Sequence, residues 1–192
     1  GMGGYNAGEV ASSMVTSFIR SELGRWLEEA SESATDAEVR RAMDICVDNA
    51  NRAIFNAANS NPQYAGMGTT LVVGAFRDTR LLMGHVGDSR GYRLRNGRLV
   101  QITRDHSLLQ EQIDAGLITA EQASFSANKN LVTRAVGVED LAVLRLRHRH
   151  GEGRRAVVGD DVEHDLDVLG VQRRGEAGEI QPRTGQVLIQ PV

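Results

Sequence analysis

The spacing of apolar residues divides the chain into regions of different character. In the first sixty residues they recur every three or four positions, as on one face of a helix. This spacing predicts a helix from Glu9 to Ala30. Its apolar stripe comprises Val10, Met14, Phe18, Leu23 and Leu27.

A second helix is predicted to begin at Thr35. Thr35 and Glu38 have the spacing of a capping box, in which each side chain accepts from a backbone N–H of the other residue. The asparagines before Pro62 are predicted to end this helix. Its apolar stripe comprises Val39, Met43, Cys46, Ala50 and Ile54.

From residue 69 the apolar and β-branched residues become contiguous, which is typical of strands. A hairpin is predicted around Asn96-Gly97, because both residues tolerate a positive φ. The predicted strands are Thr69–Phe76, Leu81–Val86, Gly91–Arg95, Leu99–Thr103 and Leu131–Val136.

Two short helices are predicted among these strands. One runs from Ser107 to Ala115 and ends before Gly116, and the other begins at the capping box of Thr119 and Gln122. Long helices followed by an antiparallel meander indicate an α+β fold with helices packed on sheet.

The composition changes again near residue 144. All eight aromatic residues precede that point, and the remainder is rich in Arg, Gly, Glu, Asp and Val without a clear period. We therefore predict a domain over residues 1–143 and a divergent tail over 144–192. The tail is interpreted either as poorly ordered or as the product of a shifted reading frame, which the nucleotide sequence in three frames would decide.

The composition argues against nucleic-acid binding, a membrane span and an internal disulfide. A net charge of −3 argues against a broad nucleic-acid-binding face. The longest apolar stretches, such as Leu71–Phe76, are too short to cross a bilayer, and no leader is recognised. Cys46 is the sole cysteine, so an internal disulfide is impossible and a cytoplasmic setting is expected.

Three segments carry candidate chemistry, although each has an ordinary structural explanation. The glycine-rich residues 1–8 could approach an anion or form a turn into a helix. Residues 84–92 contain Gly-Asp-Ser-Arg after a strand, which is typical of a turn. Asp105 beside His106 could bind a metal or transfer protons, or Asp105 or Ser107 could cap the next helix.

Taken together and in order, these segments point to a protein family more specifically than any one of them does alone. Gly-Met-Gly-Gly at residues 1–4, Gly-Met-Gly-Thr-Thr at 66–70, Val-Gly-Asp-Ser-Arg at 86–90 and Thr-Arg-Asp-His-Ser at 103–107 resemble the signature blocks of bacterial type-2C protein phosphatases. The resemblance extends from Gly1 to Leu141 and includes a flap over residues 116–129, where Ser126-Ala127 replaces the usual His-Pro.

The resemblance implies a sandwich of two antiparallel sheets flanked by helices, in α-β-β-α layers. It implies hydrolysis of phosphoserine and phosphothreonine in proteins by a water activated by two Mn²⁺ or Mg²⁺ ions. Gly1, through its carbonyl, and Asp105 would be metal ligands, and Asp88 and Ser89 would support the site. Phosphorylated proteins are the implied substrates, and a serine/threonine kinase is a candidate partner.

Several of the family's blocks are not found: the Asp before Gly-Met-Gly-Gly, the Arg and Asn-Glu-Asp of the first strands, and the later Ser-Asp-Gly and Asp-Asn. The domain is therefore expected to be incomplete at both ends and its activity impaired. A non-catalytic module that binds phosphoproteins is the alternative. A metal module of His148, His150 and His164 is a third reading, which the surrounding arginines disfavour.

Overall fold

The computed structural model describes residues 4–30, 33–77, 80–95, 98–128 and 131–139, together with the backbone of three later strands. The elements follow an α+β order, as predicted. They are α1 (Gly4–Glu29), α2 (Asp36–Ser60), a 3₁₀ turn (Pro62–Tyr64), β1 (Leu71–Arg77), β2 (Arg80–Val86), β3 (Arg90–Arg95), β4 (Arg98–Gln101), α3 (Leu108–Asp114), α4 (Ala120–Ser124), β5 (Arg145–Arg149), β6 (Ala156–Gly159) and β7 (Val187–Pro191).

The strands form two antiparallel sheets, and this part of the predicted fold class is confirmed. One sheet has the order β5-β2-β1-β7 and the other β4-β3-β6. In the β1–β2 pair Leu71 lies opposite Val86 and Arg77 opposite Arg80, so β2 ends beside the start of β1.

The two faces of the β1–β2 pair pack against different parts of the protein, because successive side chains of a strand point to opposite sides. Leu71, Val73 and Ala75 join the core that α1 and α2 cover. Val72 and Met83 belong to a second cluster that includes Ile102, which follows β4. The first sheet is thus covered by helices on one face, and its other face contacts the β3–β4 region.

The second helix follows the prediction closely. Thr35 caps it, with its hydroxyl accepting from the Glu38 N–H and the Glu38 side chain accepting from the Thr35 N–H. All five residues of the predicted stripe are buried. Asn61 ends the helix and caps the 3₁₀ turn that begins at Pro62.

The first helix departs from the prediction in two respects. It begins at Gly4 rather than Glu9, since the glycine-rich opening does not stop it. Its most buried stripe comprises Ala7, Ala11, Val15, Ile19, Leu23 and Leu27, whereas Val10, Met14 and Phe18 are partly buried beside it.

The strand predicted at Leu131–Val136 is wrong. This segment makes only two isolated bridges, one between Thr69 and Val136 and one between Ser107 and Val132. Ala135 and Val136 are buried, whereas Leu131 is half exposed, so the segment spans the ends of other elements rather than pairing along one strand. The short helices are confirmed, with Ser107 capping α3 and the Thr119–Gln122 box capping α4.

Several predictions concern residues that lie wholly or partly outside the described part of the chain. The Asn96-Gly97 turn lies outside it, although the strands on either side pair as predicted. His150 and His164 also lie outside it, and His148 is described only as backbone in β5. The boundary at 143/144 stays a prediction, and the described strands beyond it pair with β1, β2 and β3.

Candidate functional site

Three of the four sequence blocks meet at one end of the two sheets. Residues 66–70 lead into β1, residues 86–90 connect β2 to β3, and residues 103–107 follow β4 into α3. The start of β1 and the end of β2 are neighbours because the strands are antiparallel. The fold therefore brings together segments that are far apart in sequence.

The first two blocks are joined by their side chains and by close packing. The hydroxyls of Thr70 and Ser89 lie 2.7 Å apart and share a hydrogen bond. Gly87 has a φ of +102°, and a Cβ built on it would lie 2.4 Å from Cγ2 of Thr70. Only glycine fits here, which gives the glycine of the Gly-Asp-Ser-Arg block a steric explanation.

The second and third blocks are joined through Gly87 and His106. The Gly87 N–H donates to Nδ1 of His106 over 3.1 Å, and the His106 N–H donates to the Gly87 carbonyl over 3.0 Å. His106 also stacks on His85, with ring centroids 4.7 Å apart. Ring nitrogen Nε2 of His85 lies 2.7 Å from the Arg104 carbonyl, so both neighbours of Asp105 are fixed.

The Asp105 carboxylate is held by two side chains from the second sheet and its end. Arg90 donates from Nε to Oδ1 and Oδ2 over 3.1 and 2.9 Å, and from Nη2 to Oδ2 over 2.7 Å. Gln101 donates from Nε2 to Oδ1 over 3.0 Å. This pairing with Asp105 raises the pKa of the Arg90 guanidinium, so Arg90 stays charged.

The segment after the flap closes this end of the molecule. The Thr133 N–H donates to the His106 carbonyl over 2.8 Å, and Thr69 and Val136 exchange two backbone hydrogen bonds. Buried Asn51 of α2 accepts from the Gly137 N–H over 2.6 Å and donates to the Glu139 carbonyl over 2.8 Å. Sequence reasoning missed Asn51, because an asparagine within a helical stripe gives no sign of a distant partner.

Of the two predicted metal ligands, Gly1 and Asp105, only Asp105 lies in the described part of the chain. Asp105 lies in the cluster of blocks, and its oxygens are the ligand type that Mn²⁺ and Mg²⁺ prefer. Gly1 lies outside the described residues. Within the described part of the chain, no three His, Cys, Asp or Glu side chains are grouped closely enough to hold a metal ion. These residues do not fit a two-metal centre.

The two residues expected to support the site, Asp88 and Ser89, lie in the turn between β2 and β3. Ser89 is buried against Thr70, and Asp88 lies in the same turn. In the flap, α4 is short, and Leu117 and Phe125 are 73% and 84% exposed. The flap therefore presents apolar side chains to solvent beside α3.

Comparison with known proteins decides the family. The model of a family described as protein phosphatase 2C matches residues 1–148. The chain belongs to the protein phosphatase 2C family. Among the residues that the structure describes, no helix has the length and apolar character to span a membrane.

Several bacterial phosphatases are similar to this chain. The serine/threonine phosphatase stp of Listeria innocua is 38% identical over 139 residues, which cover 72% of this chain and 54% of that protein. The crystal structure of Stp1 from Staphylococcus aureus superposes with a TM-score of 0.72 at 30% identity, covering 82% of this chain and 60% of that one. The chain thus spans about half the length of the Listeria phosphatase.

One of the similar solved structures contains metal ions. The catalytic domain of the phosphatase PstP, solved in complex with two manganese ions, superposes with a TM-score of 0.64 at 34% identity. The match covers 85% of this chain and 67% of that one. The two manganese ions belong to that relative.

Proposed function

We propose that this chain is part of a metal-dependent protein phosphatase that hydrolyses phosphoserine and phosphothreonine in proteins. Carboxylate-bound Mn²⁺ or Mg²⁺ ions would supply the activated water. Gly1, through its carbonyl, and Asp105 are the proposed metal ligands within the chain. The setting is proposed to be cytoplasmic, away from the membrane, with a serine/threonine kinase as the opposing partner.

One observation carries this proposal beyond family membership. The blocks at 66–70, 86–90 and 103–107 meet through the Thr70–Ser89 and Gly87–His106 hydrogen bonds, at the end of the sheets where Asp105 is held. A catalytic constellation requires side chains whose positions are fixed by the residues around them. The 103–107 segment, which is buried except at Arg104 and is anchored at two points, provides that fixation for Asp105.

The proposed activity and the proposed role of Asp105 can be tested with a chimera. Residues 1–148 would replace the matching residues of the Staphylococcus aureus phosphatase, so that the remainder of that protein completes the site. We expect Mn²⁺-dependent hydrolysis of a phosphothreonine peptide, lowered about tenfold or more by Asp105→Asn. An inactive but folded chimera would contradict the proposed activity, and unchanged turnover in the Asp105→Asn chimera would remove Asp105 from the site.

The 192-residue chain is expected to behave differently. One carbonyl and one carboxylate bind a divalent cation weakly, because affinity follows the number of charged ligands. We therefore expect little hydrolysis of p-nitrophenyl phosphate in millimolar Mn²⁺. Turnover comparable to that of the Staphylococcus aureus phosphatase would overturn this expectation.

One observation favours the alternative, a non-catalytic module that binds phosphoproteins. The Asp105 oxygens are engaged by Arg90 and Gln101, so the carboxylate already has an internal cation. Calorimetry with a phosphothreonine peptide distinguishes the two. Binding without hydrolysis, in both the chain and the chimera, would support the alternative.

A further inference from the structure

Strand β1 is buried in the manner of a strand from the middle of a sheet. Leu71, Val73 and Ala75 on one face are fully buried, and Val72 on the other face is 3% exposed. Each edge of such a strand carries a row of backbone N–H and C=O groups that need partners. Strand β2 pairs with one edge along the whole of β1, so the other edge requires a second strand.

That second strand is β7. It pairs antiparallel with β1, from Leu71 opposite Pro191 to Ala75 opposite Val187. Helix α1 also contacts β7, so the site that receives this strand is bounded by the outer edge of β1 and by α1. The family model matches residues 1–148. Within that part of the chain, the described residues include this edge of β1 but no strand that fills it.

Three features allow β7 to leave this edge while the rest of the sheet stays paired. It is the outermost strand of its sheet, so a single ladder of hydrogen bonds holds it. Pro191, opposite Leu71, has no N–H to donate to that ladder. Residues 160–186 lie between β6 and β7, and about 27 residues can span up to about 90 Å when extended. That reach exceeds the width of a domain of this size.

We propose that the outer edge of β1 is a strand-acceptor site and that copies of this chain exchange its occupant, so that β7 of one copy pairs with β1 of another. The same residues meet in the same register whether β7 comes from its own chain or from a second copy, so either source satisfies the edge equally. Reciprocal exchange gives a closed dimer with two-fold symmetry. The inference concerns assembly, and it goes beyond the proposed phosphatase chemistry without depending on it.

Disulfide trapping between mixed chains tests the exchange. Cys46 is replaced by Ala throughout, so that only the introduced thiols react. One chain carries Ala75→Cys and the other Val187→Cys, at positions that lie opposite each other in the register. In a glutathione buffer, in which random disulfides reverse, we expect a covalent heterodimer. Its yield should rise with protein concentration up to about 1 mM, near the effective concentration that a connection of this length gives β7 in its own chain.

A register-shifted pair of chains is the matched control. Leu188 lies opposite Gly74, so mixing Leu188→Cys with Ala75→Cys puts the two thiols at alternate positions of the ladder. We expect at least about tenfold less heterodimer, because a disulfide requires Cβ atoms about 4 Å apart. The double variant Ala75→Cys/Val187→Cys measures pairing within one chain, and circular dichroism checks that every variant is folded.

The outcomes separate exchange from pairing within one chain. The inference is wrong if the double variant closes its disulfide while the mixture gives no more heterodimer than the register-shifted control, since β7 then stays in its own chain. It is equally wrong if neither arrangement forms a disulfide, since β7 then does not occupy the edge of β1.

The parent chain offers a second test without new thiols. Light scattering should show a dimer whose share grows with protein concentration. A peptide of residues 185–192 contains the β7 sequence and should lower that share by competing for the edge of β1, whereas a scrambled peptide of the same composition should not. A dimer that the β7 peptide leaves unchanged, or a chain that stays monomeric up to about 1 mM, would contradict the exchange.

Discussion

Gly87 and His106 hold each other by two hydrogen bonds in opposite directions, one of them to the imidazole ring. The Gly87 N–H reaches Nδ1 of His106, and the Gly87 carbonyl accepts from the His106 N–H. Because Nδ1 must accept, the neutral ring carries its proton on Nε2. This arrangement couples the turn between the two sheets to the segment that carries Asp105.

Gly87→Ala is expected to destabilise the protein by about 2–4 kcal/mol, because strain at a positive φ adds to overpacking. The new Cβ would lie 2.4 Å from Cγ2 and 2.7 Å from Cβ of Thr70. Urea unfolding at equilibrium measures the free energy of unfolding.

Gly24→Ala is the matched control for this substitution. Gly24 lies within α1, and a Cβ there has nothing within 4 Å. Alanine in an open helical position should raise the stability by about 0.5–1 kcal/mol. Equal effects of the two substitutions would contradict the steric explanation for Gly87.

The single thiol provides a test of the helix packing. Burial, with a smaller contribution from the charge of Glu22, raises the pKa of Cys46 to about 11. Since the reactive form is the thiolate, we expect Ellman's reagent to label the native protein slowly near pH 8 and the urea-unfolded protein rapidly. Rapid labelling of the native protein would place Cys46 outside the core.

The same shift has a defined effect on stability. A folded pKa above the unfolded value of 9.0 gives stabilisation that is fully present below pH 9. It is lost as the pH rises toward 11, because the unfolded thiol ionises first. The parent should therefore lose stability relative to Cys46→Ala over this range. This comparison cancels the ionisation of the tyrosines.

Local patterns predicted the elements better than they predicted the site. Capping at Thr35, Ser107 and Thr119 was predictable because each cap is made with a residue three positions away. The strands β1 to β4 followed from contiguous apolar residues and turn signals. The 131–136 segment was misassigned because an apolar run does not reveal whether its partners form one strand or several loop ends.

The site required information that no local pattern carries. The block resemblance selected Asp105, but its pairing with Arg90 spans 15 positions and depends on how β3 faces the end of β4. The Gly87–His106 pair spans 19 positions. Such contacts follow from strand register, which the sequence specifies only through the packing of the whole sheet.

Asn51 provides the longest of these connections and a final test of the region. Its side chain is fully buried and bonds the backbone at Gly137 and Glu139, 86 and 88 positions away. Gly137 has a φ of +92°, and a Cβ there would lie 2.3 Å from Cγ2 of Ile54. The chain therefore passes close to α2, where the Asn51 side chain bonds its backbone groups.

We expect Asn51→Ala to lower the free energy of unfolding by about 2–4 kcal/mol, since two buried backbone groups lose their partner. Asn49→Ala on the exposed side of the same helix is the control, with no loss or a small gain. Hydrogen exchange of the Gly137 amide gives a local measure. Its protection should fall in Asn51→Ala, and retained protection together with unchanged stability would show that Asn51 does not hold the 131–139 segment.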